Sequence, residues 1–170
     1  MLAIDVAASS FYEKGKYLVD GKKLNADELL AMYLDMIEKF PIISIEDPFH
    51  EEDFENFAKL LAGQSKAKVI GDDLTVTNPE RLRKAIEEKS INGIIIKPNQ
   101  IGTLSETLEV MRLAEANKIS CIVSHRSGET GDDFIADLAY AFGSFGLKAG
   151  APNRGERVAK YNRLWEISSK

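Results

Sequence analysis

The apolar residues of this chain fall into two alternating patterns. One is a short unbroken run, seen at Leu2–Ile4, Ile42–Ile45, Lys68–Gly71, Gly93–Lys97, Ile119–Ser124 and Gly146–Ala149. The other is a longer segment with apolar positions three and four apart, such as Leu29, Leu30, Tyr33, Met36 and Ile37. The first pattern predicts strands buried on both faces, the second amphipathic helices. Helix starts are marked locally. Asn25 and Thr103 each precede a glutamate by three residues, the signature of a capping box. Asn78 is followed by Pro79, the residue favoured at a first helical position. Helices are thus predicted from Asn25 to near Lys39, at Asp53–Ala62, after Asn78, from Leu104 to about Asn117, at Asp133–Phe142 and at Arg154–Ile167. Val6–Gly15 reads as a loop, and Tyr17–Val19 with Asp20-Gly21 and the lysines after it as a small hairpin or turn. Strand followed by helix, six times over, predicts a parallel α/β sheet with right-handed crossovers, in one domain over residues 1–170.

The run Gly93-Ile94-Ile95-Ile96 has no polar alternation and stops at Lys97-Pro98. Proline cannot donate to a ladder, so the strand ends there and Lys97 stands at its carboxyl end. In parallel α/β proteins ligands bind at that edge. The other runs end in the same way, next to Asp5, Glu46, Asp72, His125 and Lys148. From Glu46 onward the spacings are 26, 25, 28 and 23 residues, each the length of one βα unit. Every one of these residues therefore returns to the same edge. One charged residue at a strand end is ordinary; six in series are a constellation. Three carboxylates crowded together raise one another's pKa unless a cation lies between them, and all-oxygen ligation suits Mg²⁺. Lysines and Arg126 at the same edge suit an anionic substrate, a carboxylate or a phosphate.

Composition narrows the classes. The chain has 170 residues, 44% of them hydrophobic and 29% charged, with a net charge of −5. That is an ordinary globular composition without the basic footprint of a nucleic-acid binder. There is one cysteine, Cys121, in an apolar run that predicts a buried structural thiol. No apolar run approaches about 18 residues, so no transmembrane helix is expected. No signal peptide is evident, and a cytoplasmic location is the expectation.

The stretches LAIDVAAS, SIEDPF, GDDLTVTNP, KPNQIGT, SHRSGET and KAGAP together resemble the enolase family, the glycolytic lyases that interconvert 2-phosphoglycerate and phosphoenolpyruvate. The resemblance covers the whole chain in one order. It implies a partial TIM barrel of six parallel βα units. It implies Asp5, Glu46 and Asp72 as ligands of a catalytic Mg²⁺. Lys97 becomes the base that takes the proton next to the substrate carboxylate. Lys148 becomes the group that contacts that carboxylate and the enolate. Arg126 and Ser127 become the phosphate-binding residues, with His125 lining the pocket and Glu46 also near substrate. Enolase-superfamily sites with a Lys or His base and Mg²⁺ are a known pattern.

The family's N-terminal capping domain and first two barrel strands have no counterpart in the resemblance. With them go the glutamates of hydroxide departure. Six strands are expected to leave the barrel unclosed by one chain, with two open edges. Association is the expected remedy, through edge pairing of two copies or docking of a complementing N-terminal enolase portion. The functional expectation is a Mg-dependent hydratase impaired or dependent on complementation when alone. The alternative is a non-catalytic enolase-like module that keeps Mg²⁺ and anion binding.

Overall fold

A computed structural model describes residues 1–169. Its main sheet contains β1 (Leu2–Asp5), β5 (Ile42–Glu46), β6 (Lys68–Gly71), β7 (Gly93–Ile96), β8 (Ser120–Ser124) and β9 (Gly146–Lys148), in that spatial order. All five pairings are parallel. The crossovers carry α1 (Ala26–Lys39), α2 (Phe54–Ala62), α3 (Pro79–Glu87), the short α4 (Pro98–Ile101), α5 (Leu104–Ala116) and α6 (Phe134–Ala141), and α7 (Gly155–Ser168) follows β9. Helix ends obey the local code. Asn25 and Glu28 form the reciprocal capping box of α1, and Asn78 accepts from the amides of Glu80 and Arg81 with Pro79 at the first turn. No helix among the described residues is long and apolar enough to cross a membrane.

The sheet is curled into a half-barrel. Five inter-strand steps of about 4.8 Å would set β1 and β9 some 24 Å apart in a flat sheet. Yet Lys148 on β9 donates to Asp5 on β1 at 2.8 Å. The two end strands are not hydrogen-bonded to each other, so the curl brings the edges near without closing them. The concave side holds a cavity of about 400 Å³ reaching Ile70, Ile122 and Leu147 below and Glu46 and Lys148 above. The convex side is the main core, where Ile45, Val69, Ile94, Ile96 and Val123 meet the helices. Ile94, Ile95 and Ile96 are all fully buried, as a strand covered on both faces requires. Gly93 is needed for that stacking, because a Cβ there would lie 2.9 Å from Ile70 Cγ1.

Two segments differ from the sequence expectation. Val6–Gly15 is not a plain loop: it holds a 3₁₀ turn at Ala8–Phe11 and β2 (Tyr12–Glu13). β2 joins β3 (Lys16–Val19) and β4 (Lys22–Leu24) in a second, antiparallel sheet, so the hairpin has a third strand. Its buried Tyr17 meets Phe49 edge to face, and Phe49 meets Tyr33 and Phe57 in turn. The Tyr17 hydroxyl accepts the His50 amide at 3.0 Å, and the Tyr33 hydroxyl donates to the Pro48 carbonyl at 2.9 Å. This aromatic row fixes the turn that follows Glu46. Pro98, the other difference, ends β7 but also starts α4, which closes on Gly102 at φ 112°.

Candidate functional site

The carboxyl ends of the strands open into a cleft of about 410 Å³. Asp5, Asp72, Lys97, Ser124, His125, Arg126, Ser127 and Lys148 line it. Glu46 joins through Lys148, whose ammonium donates to both Glu46 oxygens at 2.8 and 2.9 Å. All the residues singled out in the sequence therefore meet at one edge. Their pairing divides the carboxylates. Asp5 and Glu46 share Lys148, whereas Asp72 is ion-paired with Lys97. The carboxylates that crowd Asp72 within 4.8 Å are Asp47 and Asp73, neither of which stood out in the sequence.

Asp47 is a support for this edge. Its two oxygens accept the backbone amides of Asp72 and Asp73 at 2.9 and 2.8 Å, so the β5 turn dictates the shape of the β6 turn. Asp47 holds φ 43°, and Val76 and Thr77 beyond it hold φ 46° and 54°. Left-handed backbone is costly for β-branched residues, and such strain collects at functional sites. Thr77 converts it into placement: its hydroxyl accepts the Lys97 amide at 2.9 Å and donates to Gln100 at 2.9 Å.

The acidic side is short of positive charge. Burial pushes Glu46 up to about 7, the Lys148 ammonium offsetting only part of it, with Asp5 and Asp72 adding to the rise. Burial likewise pushes Asp47 up to about 7 despite its two amide donors. Asp73 is raised for the same reason. Burial works to lower Lys148, but its bonds to Asp5 and Glu46 outweigh that and hold it above the ordinary lysine value. Asp72 Oδ1 is buried with no hydrogen-bond partner at all. An orphaned carboxylate oxygen is expensive unless something binds it. The set of hard oxygen donors fits a divalent cation such as Mg²⁺, with Asp72 as the open ligand and Asp5 and Glu46 available once Lys148 shifts.

The opposite side, after β8, is fully partnered. The Arg126 amide donates to Glu129 at 2.9 Å, and its guanidinium to Asn99 at 2.9 Å. Lys160, 1% exposed, donates to Glu129 at 2.7 Å and to the carbonyls of Thr130 and Glu156 at 2.7 and 2.8 Å. Arg157 donates to the carbonyls of Arg126 and Ser127 at 2.9 and 3.0 Å and contacts His125 Nδ1. The His125 amide donates to the Lys148 carbonyl at 2.8 Å, tying the loop to β9. Burial and the nearby Arg157 charge lower the His125 pKa. Sequence reasoning missed Arg157 and Lys160 because they sit in a charged helix where only tertiary contacts set them apart from its other polar positions. Glu129 lies inside the quoted SHRSGET motif, but only its contacts give it a task.

The chain matches the family model "Enolase, C-terminal TIM barrel domain" over residues 1–170. It is 54% identical over 167 residues to an enolase of Methanocaldococcus jannaschii, an alignment covering 98% of this chain and 39% of that protein. It is 53% identical over 169 residues to an enolase of Sulfurisphaera tokodaii, with 99% and 41% covered. An enolase of Aeropyrum pernix is 50% identical over 169 residues. The chain thus spans about two fifths of the length of the curated relatives it matches. With the half-barrel and its strand-end constellation, these matches show that the chain belongs to the enolase family and corresponds to its C-terminal barrel domain.

Proposed function

We propose that this chain carries the cation-binding, proton-abstracting and phosphate-binding parts of a Mg²⁺-dependent phosphopyruvate hydratase, which removes water from 2-phosphoglycerate to give phosphoenolpyruvate. The observation that carries the reading is the interleaving of Lys97 and Lys148 with Asp5, Glu46 and Asp72 in one cleft, beside the Arg126–Ser127 turn. Arg126 and Ser127 take the phosphate: guanidinium pairs with phosphate in bidentate fashion, and Gly128 leaves the backbone open. Lys148 meets the substrate carboxylate. Lys97, once it has left Asp72 and given up its own proton, takes the proton from the carbon next to that carboxylate, and the bonding pair passes into the enolate. The strained turn at Val76–Thr77 fixes the backbone from which Lys97 reaches. Mg²⁺, when bound at the carboxylates, supplies charge stabilisation for the dianionic enolate.

The second half of the reaction needs a proton donor for the departing hydroxide. In this cleft Asp5 and Asp72 are both engaged by lysine ammonium groups. That favours a chain that binds substrate and exchanges its proton without completing elimination unless complemented. The test follows 2-phosphoglycerate with Mg²⁺ in D₂O. Deuterium at the carbon next to the carboxylate, without phosphoenolpyruvate, supports the partial site. Phosphoenolpyruvate from the chain alone supports the complete hydratase. Neither product, with Mg²⁺ and phosphate still bound, supports the non-catalytic module.

A further inference from the structure

Arg157 reaches from α7 into the turn after β8 and is 8% exposed. One of its nitrogens contacts His125 Nδ1 and donates to the Arg126 carbonyl at 2.9 Å; the other donates to the Ser127 carbonyl at 3.0 Å. A guanidinium has only donors and does not lose its charge. The atom of His125 that faces it must therefore offer a lone pair. In a neutral imidazole that leaves the proton on the other nitrogen, Nε2. Protonating Nδ1 would set an N–H and a second positive charge against the guanidinium. The chain is close behind: at Gly150, φ +79°, a Cβ would lie 3.3 Å from both His125 Cε1 and Arg157 Cδ. We propose that Arg157 is a positioning residue that fixes His125 as its uncharged Nε2–H tautomer and holds the 125–127 turn in shape, so that His125 gives the cleft a neutral hydrogen-bond donor and not a base.

The other charges around the ring are consistent with this. Lys148 and Lys97 oppose an imidazolium, and Glu129, which would favour one, is committed to Lys160. The inference concerns this chain's own tautomer; only its consequence for anion affinity rests on the proposed phosphate site.

Nitrogen-15 long-range NMR on the full chain tests it. The chain has two histidines, so a His125→Gln spectrum assigns both, and His50 on the β5 turn is the internal control. The expected wild-type spectrum shows His125 with a bare Nδ1 and a protonated Nε2, and a charging midpoint below the ordinary histidine value. In Arg157→Met the Nδ1–H tautomer should appear and the midpoint rise, while His50 stays put. Arg157→Lys, which keeps a donor-only cation, should retain the Nε2–H form. A mixture or an Nδ1–H form in wild type overturns the proposal. So does an unchanged His125 signal in Arg157→Met with native circular dichroism. If Arg157→Met does not fold, the wild-type spectrum and Arg157→Lys decide. Inorganic phosphate is then titrated into the same sample. No shift of His125, with the tautomer as expected, removes the phosphate reading and leaves the role of Arg157 standing.

Discussion

Glu46 and Lys160 are both charged side chains in deep burial, 6% and 1% exposed, and the protein treats them in opposite ways. Lys160 has three protons to donate, and Glu129, Thr130 and Glu156 accept all of them. Nothing has to be added for that charge to be stable. Glu46 has its ammonium, yet burial still drives it to about 7, and its neighbour Asp72 keeps an oxygen with no partner. The side after β8 is complete as folded. The side after β1, β5 and β6 is a set of ligands lacking positive charge. Preorganisation of donors for an anion and under-compensation of acceptors for a cation are the two ways a fold can prepare a binding site. This cleft uses one on each bank.

The sharpest way to break the comparison is at Lys97, which is ion-paired with Asp72 on the acidic bank and lines the same cleft as Arg126 and Ser127. Lys97→Ala should lower turnover of 2-phosphoglycerate, in the assembly that performs it, by about 10²–10⁴-fold, the span for loss of a general base. Deuterium exchange next to the carboxylate should vanish with it. Persistent exchange in the variant would assign the base elsewhere.

On the complete bank, Lys160→Met should destabilise the fold by roughly 1–3 kcal/mol, because the half-buried Glu129 loses its charged donor. Denaturant melts should show the same loss with and without Mg²⁺. A loss that Mg²⁺ repairs would mean that the two banks share their charge and the distinction fails.

On the incomplete bank the dependence on Mg²⁺ should be direct. At a hundred times its dissociation constant, Mg²⁺ should stabilise the fold by about 2.7 kcal/mol, or several degrees in Tm for a chain of this size. Glu46→Gln should shrink that gain and raise Tm in chelator, since it removes a buried carboxylate held above its ordinary pKa. Equal Mg²⁺ responses in the two proteins would take Glu46 out of the cation site.

Much of this was legible in the sequence, for reasons that also mark where legibility stopped. The strands announce themselves because parallel strands covered on both faces read as unbroken apolar runs, as at Gly93–Ile96. The strand-end residues follow, because one βα unit has nearly constant length. The antiparallel Tyr12–Leu24 sheet is only half legible: its turn at Asp20-Gly21 is a strong signal, but β2 is two residues long and carries no pattern. Asp47 carries no signal in the sequence because its task is to hold the amides of Asp72 and Asp73, a contact some 25 residues away that no spacing encodes. Arg157 and Lys160 look like any polar helix positions. Only tertiary packing turns them inward, and a periodicity argument has no means to choose them over Arg154 or Arg163, which stay more exposed.

The gentlest effect is at alkaline pH, and it separates burial itself from cation demand. Tyr17 and Cys121 are buried neutral acids of the core, each pushed up to about 12 by burial, from ordinary values near 10 and 9, and Tyr33 is raised for the same reason. A group whose folded pKa lies above its unfolded value keeps its proton in the folded state after the unfolded chain has lost it. Stability is then whole below the unfolded value and falls as pH rises past it toward the folded one. The fall should begin near pH 9 with Cys121 and steepen near pH 10 with the two tyrosines. It should be the same with Mg²⁺ or chelator, because none of these groups lines the cleft. Tyr33→Phe costs the hydrogen bond to the Pro48 carbonyl, about 1 kcal/mol at neutral pH, yet it should flatten the decline above pH 10. Denaturant melts at pH 8, 9, 10 and 10.5 measure it, with a thiol reagent reporting Cys121 as slow to react in the folded state at pH 8. If Mg²⁺ abolished the alkaline decline, carboxylates and not core acids would control it, and the division between the acidic bank and the apolar core would need redrawing.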